Sequence, residues 1–363
     1  MKITNTLIAI VLVAGCFVAA CDTKRTPHVM NAVTVTDALG REIKVPENIE
    51  NIVTLRAGAL RLVCYLQSAD RVAYVEQNEK KRVVGYLMAN PSLRSLPVMG
   101  VGNSIDPELL AVSNADVVIV TYMTAQEADA LQQKSGKPVF VVSYGDMVDL
   151  KQEFYNGLTF LGKLLKKQER ADSLIRYIER NIEDWTARSA TAGRDPVSAY
   201  LGGVAFNGAH GLASTRVRYP PFYYLGIRNP ADAVSAGYGG IGSGQKNMLL
   251  DVEQVLHWNT PYIFLDAAGK NIWQQELTQP VFQKLSAFKN GHIYTVLPFN
   301  WHTINFENLI CNTWFIGKTL YPQAFNDIDI EEKARETLLF FYGIDIFTEL
   351  KNTYQPFVQH GKQ

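Results

Sequence analysis

The side chains best suited to chemistry in this chain are arginines, aromatics and histidines that stand just after short apolar runs. Arg56 follows NIVTL, Tyr122 follows DVVIVT and Tyr144 follows PVFVVS. Further on, residues 206–219 hold His210, Arg216, Arg218 and Tyr219, and residues 298–305 hold Trp301 and His302. Arginine is always charged and forks onto carboxylates. Aromatic faces pack on flat apolar surfaces. The neutral imidazole of His210 or His302 can take an open coordination position on a chelated metal. Either one, taken alone, reads first as a loop histidine bonded to backbone. Arg56 has the strongest claim, because it directly follows a buried strand. Arg216 and Arg218 flank Val217, so in an extended stretch they share a side, either as a binding pair or as a solvated pair. Tyr219 opens the run YPPF, which also reads as a rigid turn. This inventory suits gripping a solute. Bond-making signatures such as GxSxG, HExxH, the kinase set or paired CxxC do not occur, and the six histidines are scattered.

The elements that must position these residues read as α/β. Residues 33–45, VTVTDALGREIKV, alternate polar and apolar around Leu39 and Gly40, as a hairpin does. Residues 51–55, 71–75, 116–121 and 138–143 are short apolar strands of the parallel-sheet kind, with helical patterns at 58–66, 107–113 and 125–134 between them. The same alternation returns later, with strands at 197–202, 262–266 and 292–296 and helices at 249–258, 308–318 and 331–342. Ligands of such sheets bind outside the carboxyl ends of the strands, where the residues above fall. The glycine-rich run 237–245, GYGGIGSGQ, lacks the form of a phosphate loop and reads as a cleft rim.

Between the two α/β regions, apolar residues recur every three or four positions from Phe154 through Leu165 to Trp185. That periodicity predicts one helix over 149–189, about 60 Å long at 1.5 Å per residue. Asp149 with Gln152 resembles a capping box, and the 193–196 region supplies a stop. The domain plan is therefore a leader and tether at 1–31, a first lobe at 32–150, a spanning helix at 151–192 and a second lobe at 193–363, with a ligand cleft between the lobes. An internal echo supports paired lobes: DPELLAVSNADVVIV at 106–120 matches DVEQVLHWNTPYIFL at 251–265. Asp106 and Asp251 read as helix N-caps, with Glu108 and Glu253 at equivalent places in the first turns.

The 363 residues suffice for two cores, and 47% apolar with 19% charged content is ordinary for a globular chain. Lysine plus arginine equals aspartate plus glutamate, at 35 each, so no global field draws nucleic acid. The opening MKITNTLIAIVLVAGCFVAAC is a targeting segment with a short apolar core. Cys21 and Cys16 each follow small residues, as in a lipobox. Cys21 is favoured for lipidation because a polar tether follows it. That places the mature chain outside the cytoplasmic membrane. Cys64 and Cys311 lie in apolar contexts, as small buried hydrophobes do.

Taken together, DALGREIKVPENIENIVTL, DPELLAVSNADVVIV, DVEQVLHWNTPYIFLD and GHIYTV resemble the substrate-binding lipoproteins of ABC importers for ferric siderophores, haem and cobalamin. AYLGGVAFNGAHGLASTRVRYPPFYYLG and IGKTLYPQAFNDIDIEEKARETLLFFYG are similar to an iron-complex subgroup. The resemblance implies two Rossmann-like lobes, one rigid helical connector and small closure on binding. It implies no tightly bound cofactor and a metal-complex ligand, with a ferric siderophore first and nickel or cobalt complexes, haem or cobalamin as alternatives. A sensor or a lipoprotein enzyme is the further alternative. The partners implied are a permease of two membrane subunits with its ATPase, docked through Glu108 and Glu253, and the membrane through a lipid anchor. A monomer is expected.

Overall fold

The computed structural model describes residues 31–101, 104–193, 197–234 and 246–361. Cys16, Cys21 and the glycine-rich run 237–245 lie outside them. The chain opens with an antiparallel hairpin, β1 (Ala32–Thr36) and β2 (Glu42–Pro46), in which Val33 faces Val45 and Val35 faces Ile43. Arg41 ties its turn down by donating to Asp37 at 2.6 Å and to Asp129 at 2.8 Å.

The first lobe is built on β3 (Ile52–Leu55), β4 (Val72–Glu76), β5 (Val98–Val101), β6 (Ser104–Ile105), β7 (Val117–Val120) and β8 (Val139–Val141), in the order β6-β5-β4-β3-β7-β8. All neighbours are parallel except β5 and β6. Strands β3, β7 and β8 are buried on both faces, which is why they read as continuous apolar runs. The second lobe carries β9 (Ala199–Gly202), β12 (Tyr262–Asp266), β13 (Ile293–Val296) and β14 (Gln359–His360), in the order β14-β13-β12-β9, parallel except at β14. A small antiparallel pair, β10 (Ser214–Arg216) and β11 (Asn247–Leu249), stands beside it. The α/β reading of both lobes therefore holds.

The single helix expected over 149–189 is two helices, Lys151–Leu164 and Gln168–Thr191. Lys166 takes a left-handed φ of 56°, and the Lys167 N–H closes back onto the Gly162 carbonyl. The helices then pack antiparallel. Lys151 pairs with Glu179 at 2.9 Å, and a Cβ on Gly162 would meet Ala171 at 2.8 Å. Both share one apolar face, so the periodicity runs on through the turn that reverses the chain. The capping box is absent too. Leu150 is the N-cap, the Asp146 carboxylate accepts the N–H groups of Val148 and Leu150, and Asp149 is engaged across the cleft.

Helix Gln168–Thr191 does connect the lobes. Near its start Arg170 donates to the Tyr65 carbonyl at 2.9 Å, and near its end Arg188 pairs with Asp327 at 2.6 Å. Trp185 and Trp314 meet edge to face, and the Trp314 indole donates to Asn181 at 2.8 Å. Helix Ile330–Tyr342 turns back to the first lobe, with Phe341 edge-on to Tyr65 at 4.8 Å. Cys64 and Cys311 are buried and unpaired, and burial raises both thiols.

Gly58, with φ of 96°, precedes helix Ala59–Tyr65, and a Cβ there would overlap the Tyr144 ring. Gly58→Ala combines left-handed strain with overpacking. It is expected to lower stability by about 2–3 kcal/mol, read as a shifted urea midpoint at constant slope.

Candidate functional site

The carboxyl ends of the strands of both lobes face each other, and the loops there enclose a cleft of about 700 Å³. Its first-lobe wall comes from Tyr122 to Thr124 after β7, Ser143 to Asp146 after β8, Leu150 at the cap of the helix that follows, and Glu153 and Phe160 on that helix. Its second-lobe wall comes from Arg216, Lys246, Asn247 and the 300–304 loop after β13. The lining mixes aromatic and aliphatic faces with amides, hydroxyls and a few charges, as small-molecule sites do.

Of the residues expected from sequence, Tyr122, Tyr144 and Arg216 line this cleft. Tyr122 is 59% exposed and left-handed at φ 51°, and its hydroxyl bridges the lobes to Thr303 Oγ1 at 2.9 Å. Tyr144 is buried. Its hydroxyl donates to the Ile304 carbonyl at 2.6 Å and accepts from Arg61 at 2.7 Å, so only part of its ring reaches the cleft. Arg216 lies at the end of β10, buried, its guanidinium 3.5 Å from Asp146 and 5.7 Å from the centre of the Phe299 ring. Its Nη1 donates to Asn247 at 3.3 Å, while its Nε has no partner among the described residues. Burial lowers its pKa, opposed by Asp146 and Asp149.

The remaining residues fall elsewhere. Arg56, expected at the cleft mouth, does not line the cleft. Its guanidinium donates to the Tyr122 carbonyl and pairs with Glu127 at 3.2 Å, so it supports Tyr122 from behind. Arg218 does not share the strand geometry of Arg216, because the strand has ended and its φ is 50°. It pairs with Asp149 at 2.7 Å. Tyr219 is fully buried, its hydroxyl accepting from Asn312 at 3.2 Å, which fits the rigid-turn alternative. His210 contacts the Phe206 carbonyl at 2.7 Å and lies outside the cleft lining. Trp301 and His302 face a second cavity of about 290 Å³, with Lys81, Lys270 and Tyr354, on the other side of the 300–304 loop. Burial, then Arg82 and Arg61, lower the His302 pKa to about 4, so its imidazole is neutral at pH 7.

Sequence reasoning missed Lys246, Asp146, Asn247 and Asn300. Asp146 lies two residues beyond Tyr144 in a loop already singled out, and Lys246 is the first charge after the glycine-rich run. The Lys246 ammonium reaches Asp146 at 2.6 Å and also contacts Asp149. Burial pushes the Asp146 carboxyl up, but Lys246 and the Leu150 and Val148 N–H groups outweigh it and hold it below its usual range. Arg61 was also missed, since nothing in LRLVC separates it from a solvated helix arginine. It is fully buried and donates to the Ile304 carbonyl and to Asn305 Oδ1, each at 2.7 Å. It thereby pins helix Ala59–Tyr65 of the first lobe to the second-lobe loop. His302 and Thr303 in that loop are both left-handed, at φ 54° and 70°, a strain that its many bonds hold in place.

A cleft between two α/β lobes, lined from both and spanned by one connecting helix, defines a two-lobed solute receptor. A family model described as periplasmic binding protein matches residues 54–298, and the chain belongs to that family. The chain is 23% identical, over 94% of its length and 97% of the relative's, to the molybdate-binding protein MolA of Haemophilus influenzae. The structure of MolA bound to molybdate, the cognate binding protein of an ABC transporter, superposes with a TM-score of 0.69 at 20% identity, covering 86% of this chain and 98% of that one. A periplasmic solute binding protein from Veillonella parvula gives 0.71 at 18% identity over 89% and 97%. Helicobacter pylori CeuE with Ni(II) bound gives 0.62 at 16% identity over 89% and 99%. These likenesses establish the two-lobed fold.

Arg61→Met is expected to lower stability by about 3 kcal/mol, because it leaves Asn305 Oδ1 buried without its donor and the Ile304 carbonyl with only the Tyr144 hydroxyl. Chemical denaturation measures the loss. Faster amide exchange confined to residues 301–305 identifies its origin.

Proposed function

We propose that this protein captures a metal chelate outside the cytoplasmic membrane and delivers it to an ABC importer, with a ferric siderophore as the first choice. It acts as a binding protein and not as an enzyme. The observation that carries this reading is the cleft itself. At about 700 Å³ it falls within the roughly 300–1,000 Å³ typical of sites for whole organic ligands. Its amides, hydroxyls and aromatic faces complement the outer oxygens and apolar linkers of a metal complex. Nickel or cobalt complexes, haem and cobalamin fit the same description. A second reading, a bare oxyanion such as molybdate, draws support from Arg216 and Lys246 in the wall and from the name of the curated relative.

The remaining expectations stand as parts of this proposal. A lipid on Cys21, or on Cys16, would tether the receptor at the membrane. Glu108 and Glu253 are exposed, one on each lobe, in the first turns of helices Pro107–Val112 and Val252–Trp258. Asp106 caps its helix through the N–H groups of Glu108 and Leu109, whereas Asp251 makes no such side-chain bond. Two outward carboxylates, one per lobe, suit two membrane subunits, each offering a basic pocket. The receptor works as a monomer, with no nucleic acid among its partners.

The test uses the receptor with its permease and ATPase in vesicles. A loaded receptor is expected to bind one chelate without turning it over and to stimulate ATP hydrolysis. Reversal of both glutamates, Glu108→Arg with Glu253→Arg, is expected to abolish stimulation and leave chelate affinity intact. Turnover of a labelled chelate would reject the receptor reading. Normal stimulation by the double variant would reject the docking assignment.

A further inference from the structure

The cations at the cleft are already matched. Lys246 contacts both Asp146 and Asp149, Arg216 stands 3.5 Å from Asp146, and Arg218 holds Asp149 through two bonds, at 2.7 and 3.0 Å. These pairs cross the cleft, because both aspartates belong to the first lobe and all three cations to the second. Arg56 is likewise paired, with Glu127. Among the described lining residues the charged side chains are two cations, Arg216 and Lys246, and two carboxylates, Asp146 and Glu153. Residues 235–245, SAGYGGIGSGQ, contain no charged side chain.

Charge balance of this kind discriminates between ligands. An anion entering the cleft finds no free cation among the described residues. To win Lys246 it must displace Asp146, and a buried carboxylate stripped of its partner is strongly unfavourable. A ligand of no net charge leaves the pairs standing. It still gains the hydroxyls of Tyr122 and Thr303, and apolar contact with Met123 and Phe160.

We propose that Asp146 and Asp149 set the charge of the ligand, making the cleft a receptor for metal complexes of no net charge, such as a ferric trishydroxamate. This rests on the reading of the cleft as the solute site, and it narrows that reading against triply anionic catecholate complexes and against bare oxyanions. The aspartates act by occupying cations, so their effect falls on selectivity.

Titration calorimetry with three probes tests it: ferrichrome, a neutral ferric trishydroxamate; ferric enterobactin, a triply anionic triscatecholate; and molybdate. The unaltered protein is expected to bind ferrichrome at least about tenfold more tightly than either anion. Asp149→Asn, at the cleft edge, leaves Arg218 without its carboxylate and Lys246 with one partner. It is expected to narrow that preference at least about threefold, by strengthening the anions. If an anion binds the unaltered protein more tightly than ferrichrome, or if Asp149→Asn leaves the ratio unchanged, the charge-setting role is overturned while the receptor reading stands. If none of the three binds either protein, the inference falls, and the cleft reading passes to nickel or cobalt complexes, haem and cobalamin.

Discussion

The lobes meet around one buried guanidinium. Arg61 sits in the middle of an otherwise apolar helix, with no exposed surface, and its two Nη groups donate to a tyrosine of its own lobe and to the 301–305 loop of the other. Desolvating such a charge is costly, and the cost is met only if the acceptors stand where this loop puts them. The loop in turn accepts two left-handed residues, one of them the β-branched Thr303. From that junction follow the position of Tyr144, the bridge from Tyr122 to Thr303 and the wall between the two cavities. Close by, Tyr65 donates to the buried Glu307, and Phe154 stacks on Phe306 at 3.6 Å. The lobe junction is thus a continuous core with a few polar pins.

The architecture was legible because it rests on periodicity. Strands β3, β7, β8, β12 and β13 announced themselves as apolar runs, and their loops fell where parallel sheets place ligand loops. Periodicity also misled. A helical hairpin whose arms share one buried face keeps the three-and-four spacing through its turn, and only Lys166 with its left-handed backbone marks the reversal. No residue preference at a lysine gives that away.

The site was less legible, for an electrostatic reason. Sequence shows where a charge stands along the chain but not which opposite charge meets it across a fold. Arg56 and Arg218 were singled out as free cations, yet each faces a carboxylate 71 or 69 positions away. Asp149, read as a helix cap, is bound to the far lobe. Tyr219 looked available in a turn and is enclosed. The expected residues that line the cleft are Tyr122 and Tyr144, two and three positions past β7 and β8, and Arg216, the last residue of β10; Arg56, directly after β3, does not line it.

The return of the C-terminal helices to the first lobe bears on how the chain is made. Phe341 packs on Tyr65, the Phe340 carbonyl accepts from Arg170, and the Tyr354 hydroxyl donates to the Val83 carbonyl. The core around helix Ala59–Tyr65 is therefore closed by residues synthesised long after it. A chain emerging amino end first can pair its early strands, but it must hold an unfinished apolar surface until the helices Ile330–Tyr342 and Phe347–Tyr354 have appeared. Its lobes are two units of architecture and one unit of folding.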